Sequence, residues 1–213
     1  MTLTRDFSFL YLYDLLGEHL EAAGFLLLEG KNQFRRSHTQ GFENVILSVS
    51  VYPDLAMVDF HLGLRLESIE QIGQRFSRTL PGFYPDAHTL ITSYGNLTSQ
   101  PYFRFKAANA HDLDLVAETF MAFWDERGLA FLDRHRHLAQ VEHTLNALPS
   151  QPSPYLHNQA HRYIKGLVAA HLMGRADFAE LAREYEVFLG QVPGGQVFAQ
   201  DFRELVRYLA GRQ

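Results

Sequence analysis

Residues 43–66, ENVILSVSVYPDLAMVDFHLGLRL, contain two runs in which apolar residues occupy every second position. These residues are Val45, Leu47, Val49 and Val51 in the first run, and Val58, Phe60, Leu62, Leu64 and Leu66 in the second. A period of two places such residues on one face of a β-strand. Pro53 and Asp54, between the runs, are typical turn residues. The stretch therefore predicts two adjacent antiparallel strands with one buried face and one polar face.

The polar face of this predicted sheet is the candidate binding surface. It carries Tyr52, Asp59, His61 and Arg65, and the later run 102–107 adds Tyr102, Arg104 and Lys106. A histidine beside a carboxylate can act as a base, and clustered Arg and Lys can hold an anion. An antiparallel sheet also normally exposes one polar face to water without any function. We assign these seven residues to binding and none to catalysis.

The rest of the chain predicts an α+β fold with one antiparallel sheet of about six strands packed on helices, followed by an all-helical C-terminal part. Helical spacing of apolar residues begins at Asp6 and stops at Gly24. Short strands are expected at 25–29, 33–38, 89–94 and 102–107, the last two as a pair. After residue 109 only helical patterns occur, at 109–124, 129–148, 155–173, 177–189 and 197–209. Strands gathered early and helices gathered late are typical of α+β proteins.

The predicted domain organisation has three parts. Residues 1–148 form the α+β meander domain, 149–154 a linker, and 155–213 a helical C-terminal extension. Three prolines and two serines lie in Pro149–Pro154, which is why the linker is placed there.

Composition limits the function classes. The net charge is −5 with histidines neutral, which argues against nonspecific nucleic-acid binding because that needs a basic surface. The absence of cysteine excludes disulfides, zinc–thiolate sites and cysteine nucleophiles. No apolar run approaches the ~20 residues of a membrane span, and residues 1–6 do not resemble a signal peptide. We therefore expect a cytoplasmic protein with no membrane or nucleic-acid partner.

Three common nucleotide-binding and catalytic motifs are missing. The sequence has no Gly-x-Gly-x-x-Gly, phosphate-binding loop or Gly-x-Ser-x-Gly. His157 and His161 have the i, i+4 spacing of zinc ligands, but Asn158 replaces the glutamate that zinc proteases use as a base. We expect no metal and no cofactor.

The layout resembles uncharacterised bacterial families that combine an N-terminal helix, a β-meander and trailing helices. The resemblance covers about residues 5–145 and depends on five segments: Ala23-Gly24-Phe25, residues 32–36, the runs 45–51 and 58–66, and the helix break in 123–132. Some of these families look like immunity or accessory proteins encoded near bacterial toxins, which implies a non-enzymatic, protein-binding role. Two alternatives stay open: a small-molecule-binding or hydrolytic enzyme around His61, and a scaffold built on the C-terminal helical hairpins.

Overall fold

The computed structural model describes residues 3–211. The strands are β1 Leu26–Leu28, β2 Gln33–His38, β3 Gly41–Val51, β4 Ala56–Leu66, β5 Leu90–Ser93 and β6 Phe105–Ala107. The helices are α1 Arg5–Ala22, α2 Glu67–Gly73, α3 Tyr94–Leu97, α4 Ala110–Phe123, α5 Leu129–His135, α6 Leu138–Asn146, α7 Gln159–Leu172, α8 Phe178–Leu189 and α9 Ala199–Ala210. A π-helical segment, Trp124–Gly128, joins α4 to α5.

The strands form one sheet in the order β1-β2-β3-β4-β5, and β6 also pairs with β4. The β1–β2, β2–β3 and β4–β6 ladders are antiparallel. Helices dominate after β6. The predicted α+β fold with a six-stranded sheet and a helical C-terminal part is therefore confirmed.

The inner face of the sheet consists of the alternating residues that the sequence indicated. Val45, Leu47, Val49, Phe60, Leu62 and Leu64 are all buried. Helix α1 packs on β3, and α4 packs on both α1 and β6. The ring of Phe60 stacks on Phe120 of α4 with centroids 3.9 Å apart. This contact joins the central strand to the helical layer.

Gly24 ends α1 and turns the chain toward β1. Its φ of +86° lies in the left-handed region that glycine tolerates best. Its amide donates to the carbonyl of Glu21 at 2.8 Å, and the next residue, Phe25, is fully buried. The predicted helix stop at this glycine is confirmed.

The C-terminal helices surround α7, which contacts α2, α6, α8 and α9. Arg162 of α7 is buried, yet its guanidinium is satisfied by carbonyl groups at the C-terminal end of α6 and in the loop that follows it. It donates to Leu145 and Leu148 at 2.8 Å and to Gln151 at 2.6 Å. A cation at this position satisfies carbonyls that a helix end leaves unpaired.

The chain divides into two compact units. The first contains the part up to Leu64 together with Thr92–Arg134, and the second contains Arg65–Ile91 and the part from His135 onward. These boundaries differ from the predicted linker at 149–154. Proline and serine content marks loops, whereas each compact unit combines segments that are distant in sequence.

Three local predictions are wrong. The short strands β5 and β6 pair with β4 instead of with each other. The helix predicted at 129–148 is interrupted, because His137 adopts an extended backbone with ψ of 127°. Val51 is exposed at the end of β3, where the alternating pattern had placed it inside.

Candidate functional site

The candidate site lies on the outer face of β4 and on the loop that leads into β6. Ala56, Val58 and Phe60 of β4 are fully buried, while the intervening Met57, Asp59 and His61 are half-buried. The β4–β6 register pairs Val58 with Phe105 and Met57 with Lys106. Extending the register by one residue brings Arg104 opposite Asp59.

Asp59 lies between two basic side chains. Its Oδ2 is 3.7 Å from Nε2 of His61 and 4.0 Å from Nε of Arg104. Both distances exceed a strong hydrogen bond, so the three groups form a loose electrostatic cluster. The Asp59 side chain is 13% exposed, and that of Arg104 is 53% exposed. Arg104 can therefore keep this contact or turn its guanidinium toward an external anion.

Tyr102 precedes this cluster on a tightly held loop. Tyr102 is 98% exposed. Tyr102 and Ser99 both adopt left-handed φ values, of 68° and 60°. Such a backbone costs non-glycine residues about 1–2 kcal/mol each and persists only when the surroundings impose it. Two backbone hydrogen bonds lie within this loop. Gln100 donates to Gly95 at 2.7 Å and Phe103 donates to Gln100 at 3.0 Å.

Packing around the loop also fixes it in place. A Cβ atom at Gly95 would lie 2.5 Å from the carbonyl oxygen of Gln100, so only glycine permits this close approach. The ring of Phe103 packs against Tyr94 and Phe105, with centroids 5.6 and 4.9 Å away. The loop therefore presents an exposed tyrosine ring on a rigid base.

Lys106 lies on β6, and Tyr52 lies in the turn that follows β3. Lys106 is exposed and is opposite Met57. Tyr52 is half exposed and belongs to the turn before Ala56, where its amide donates to Leu55 at 2.8 Å. This turn adjoins the end of β4 that pairs with Ala107, whereas Tyr102 lies before the other end of β6. The structure therefore brings Asp59, His61 and Arg104 together, with Lys106 beside them and Tyr52 at the margin.

Arg65 does not belong to the exposed face, and its predicted place there is wrong. Its side chain is 7% exposed and donates to Glu67 at 2.6 Å. It also donates to the carbonyls of Tyr84 and Ala87, at 2.8 and 3.0 Å. Its guanidinium lowers the pKa of Glu67 through a hydrogen bond. The outer face of β4 is buried from Gly63 onward, which a period of two cannot reveal.

The second unit contains a buried ionic cluster that was not predicted from the sequence. Glu70 of α2 is fully buried, and its Oε1 is 2.9 Å from Nζ of Lys165. Thr89 donates to the same oxygen at 2.9 Å, and Lys165 also donates to the carbonyl of His88. These residues are far apart in sequence, and both charges lie within apolar helical patterns. No local pattern could have paired them.

His157 and His161 were predicted on one helix, which is wrong because α7 begins at Gln159 and His157 precedes it. The ring of His161 packs edge-on against Phe198 with centroids 5.5 Å apart, and burial lowers its pKa. Among residues 3–211, no group of three or more His, Cys, Asp or Glu residues is placed to hold a metal ion. No helix in the described part of the chain is long and apolar enough to cross a membrane.

A groove between α8 and α9 was also not predicted from the sequence. Four arginines line it: Arg175, Arg183, Arg203 and Arg207. The i, i+4 spacing of Arg203 and Arg207 was the available indication, because it places both on one helix face.

Comparison with known proteins gives no match, whether to protein-family models, to curated proteins or to solved structures.

Proposed function

We propose that this is a non-enzymatic protein-binding protein whose contact surface is the Tyr102 loop with the adjoining outer face of β4 and β6. The observation that carries the proposal is Tyr102, a 98% exposed aromatic ring on a loop with a constrained backbone. Tyrosine offers a large amphipathic contact area with only two side-chain torsions to immobilise. A pre-organised loop further lowers the entropic cost of binding.

The charges beside Tyr102 favour a partner with an acidic patch. Arg104 and Lys106 are exposed cations, and Asp59 is mostly buried beneath them. Arginine and tyrosine are enriched among residues that dominate binding energy. The expected resemblance to uncharacterised bacterial families, some of which look like immunity or accessory proteins, is a further reason to propose a protein partner.

A second candidate function is hydrolysis or small-molecule binding around His61. The 3.7 Å separation of its Nε2 from Asp59 favours this alternative, since a carboxylate can orient a histidine base. No activated nucleophile was recognised in the sequence, which makes this the weaker candidate.

The test uses a partner recovered from cells that naturally contain the protein. Its affinity is measured for the wild type, Tyr102→Gly and Arg104→Ala. Glycine suits the left-handed backbone at this position, so Tyr102→Gly removes the ring without straining the loop. Loss of a dominant aromatic contact costs at least ~2 kcal/mol, or about thirtyfold in affinity.

Phe83→Ala is the matched control, because Phe83 is an exposed aromatic residue outside this surface. We expect it to bind like the wild type. If Tyr102→Gly and Arg104→Ala fold normally and also bind like the wild type, the proposed surface is wrong. If the purified protein turns over a substrate and His61→Ala abolishes turnover, the enzymatic alternative replaces the proposal.

A further inference from the structure

A groove with a cavity volume of about 760 Å³ runs between α8 and α9. We call it the arginine groove. Its floor consists of small or apolar side chains: Phe178, Ala179, Ala182, Val206 and Ala210. Its rim carries Arg175 and Arg183 on the α8 side, and Arg203 and Arg207 on α9. Glu186 is the acidic residue that lines it.

The four rim arginines differ in how far the protein already neutralises them. Arg175 donates to Glu142 and Asp177, both at 2.8 Å, and these hydrogen bonds stabilise its charged form. Arg203 is 3.4 Å from Glu186, and both side chains are about half exposed. An exposed pair of this kind contributes little and exchanges readily.

Arg183 and Arg207 are the two rim arginines that form no ion pair with another residue of the range 3–211. Both are exposed. Within residues 3–211, neither has a carboxylate oxygen at ion-pair distance; the Nε of Arg207 donates to the carbonyl of Arg203 at 3.4 Å. The chain as a whole has a net charge of −5. The rim of the groove is therefore basic although the chain as a whole is acidic. A basic rim around an apolar floor is complementary to an acidic, amphipathic ligand.

We propose that the arginine groove binds one amphipathic α-helix of a partner protein, with Asp or Glu residues on both sides of its apolar stripe. Helices α8 and α9 have 12 residues each, so each is about 18 Å long and matches three to four turns of a ligand helix. The small Ala179, Ala182 and Ala210 allow close approach of a third helix. Apolar residues at i, i+3, i+4 and i+7 would occupy the floor.

The rim arginines determine which helix is accepted. A guanidinium presents planar paired donors that match a carboxylate. Arg183 on one wall and Arg207 on the other select for acids on both flanks of the stripe. This inference is independent of the surface around Tyr102, because every residue that lines the groove belongs to the second compact unit.

The test is a selection from a displayed library of 14-residue amphipathic helices whose flanking positions are randomised. The full-length wild type is the target, and binders are compared against Ala179→Trp, which places a large ring on the exposed floor of the groove. We expect enriched sequences to carry Asp or Glu on both flanks. Binding of the best synthetic peptide is then measured by fluorescence anisotropy.

Charge-reversal variants complete the test. Arg183 and Arg207 are both exposed, so reversing them should leave the fold intact. In the double variant Arg183→Glu/Arg207→Glu we expect the Kd to rise at least tenfold. The control Arg127→Glu changes an exposed arginine of the first unit, and its Kd should stay within twofold of the wild type.

Several outcomes would overturn the inference. These are enrichment of neutral or basic flanks, equal recovery on Ala179→Trp, and an unchanged Kd in the double variant. If the wild type binds sodium dodecanoate and the library enriches no helix, the groove would be assigned to anionic amphiphiles instead. Dimerisation of the free protein that Arg183→Glu/Arg207→Glu abolishes, again with no helix enriched, would assign it to self-association.

Discussion

Replacing Lys165 with methionine should destabilise the second compact unit more than any surface substitution. The Lys165 side chain is 5% exposed and Glu70 is fully buried, with Nζ and Oε1 2.9 Å apart. The other carboxylate oxygen of Glu70, Oε2, is buried without a hydrogen-bond partner. Nη1 of Arg65 is 4.0 Å from this oxygen. Without Lys165, the negative charge would keep one strong donor, Thr89.

The expected magnitude follows from this geometry. Removing one partner of a buried ion pair typically costs about 3–5 kcal/mol, because the remaining charge is uncompensated in a weakly polar environment. For a chain of this size each kcal/mol lowers the Tm by roughly 2–4 °C. We therefore expect Lys165→Met to lower the Tm by about 6–20 °C.

The assay is urea and thermal unfolding followed by far-UV circular dichroism. Tryptophan fluorescence alone would not suffice, because the single tryptophan, Trp124, lies in the other compact unit. Lys106→Met is the matched control, since Lys106 is exposed on β6. Its effect should stay within about 0.5 kcal/mol.

A double variant separates charge from packing. Glu70→Gln removes the carboxylate charge, so Glu70→Gln/Lys165→Met should be less destabilised than the sum of the single variants by about 2 kcal/mol or more. Additive effects, or a single Lys165→Met variant as stable as Lys106→Met, would refute the buried ion-pair interpretation.

Three other substitutions test the fold. Phe60→Ala should cost about 3–5 kcal/mol because the stacked contact with Phe120 is lost; an unchanged urea midpoint would contradict this. Burial lowers the pKa of His161 below its ordinary 6.5, so the unfolded state is protonated at a higher pH than the folded state. The free energy of unfolding of the wild type should therefore fall relative to that of His161→Asn as pH drops from 7.5 to 5. Parallel plots of unfolding free energy against pH for the two proteins would count against this prediction. Arg162→Met should speed limited proteolysis within Pro149–Pro154, since Arg162 holds the Gln151 carbonyl; equal cleavage rates would show that the segment is held by other contacts.

The sheet core could be predicted from sequence because its cause is local. Alternation in 45–49 and 58–64 requires one face to be buried, and the structure buries these residues. Gly24 likewise marks the end of α1, because only a left-handed residue completes the turn there.

The site was only partly predictable because its geometry depends on distant contacts. Alternation placed Asp59, His61 and Arg104 on the outer face, but the register that sets Arg104 opposite Asp59 joins residues more than 40 positions apart. Arg65 follows the same alternation and is nevertheless buried by contacts with Tyr84 and Ala87. Tyr102 was predicted on a strand at 102–107, whereas β6 begins at Phe105 and Tyr102 lies in the loop before it with a left-handed φ of 68°.

Site-specific photo-crosslinking at residue 102 tests the proposed binding surface most directly. A benzophenone amino acid replaces Tyr102 in one variant and Phe83 in another, both expressed in cells that naturally contain the protein. Both positions carry exposed aromatic rings, at 98% and 65%, so chance collisions should be similar. We predict one discrete protein adduct from position 102 that position 83 does not give. No adduct at 102, or the same adducts from both positions, would contradict a binding surface at the Tyr102 loop.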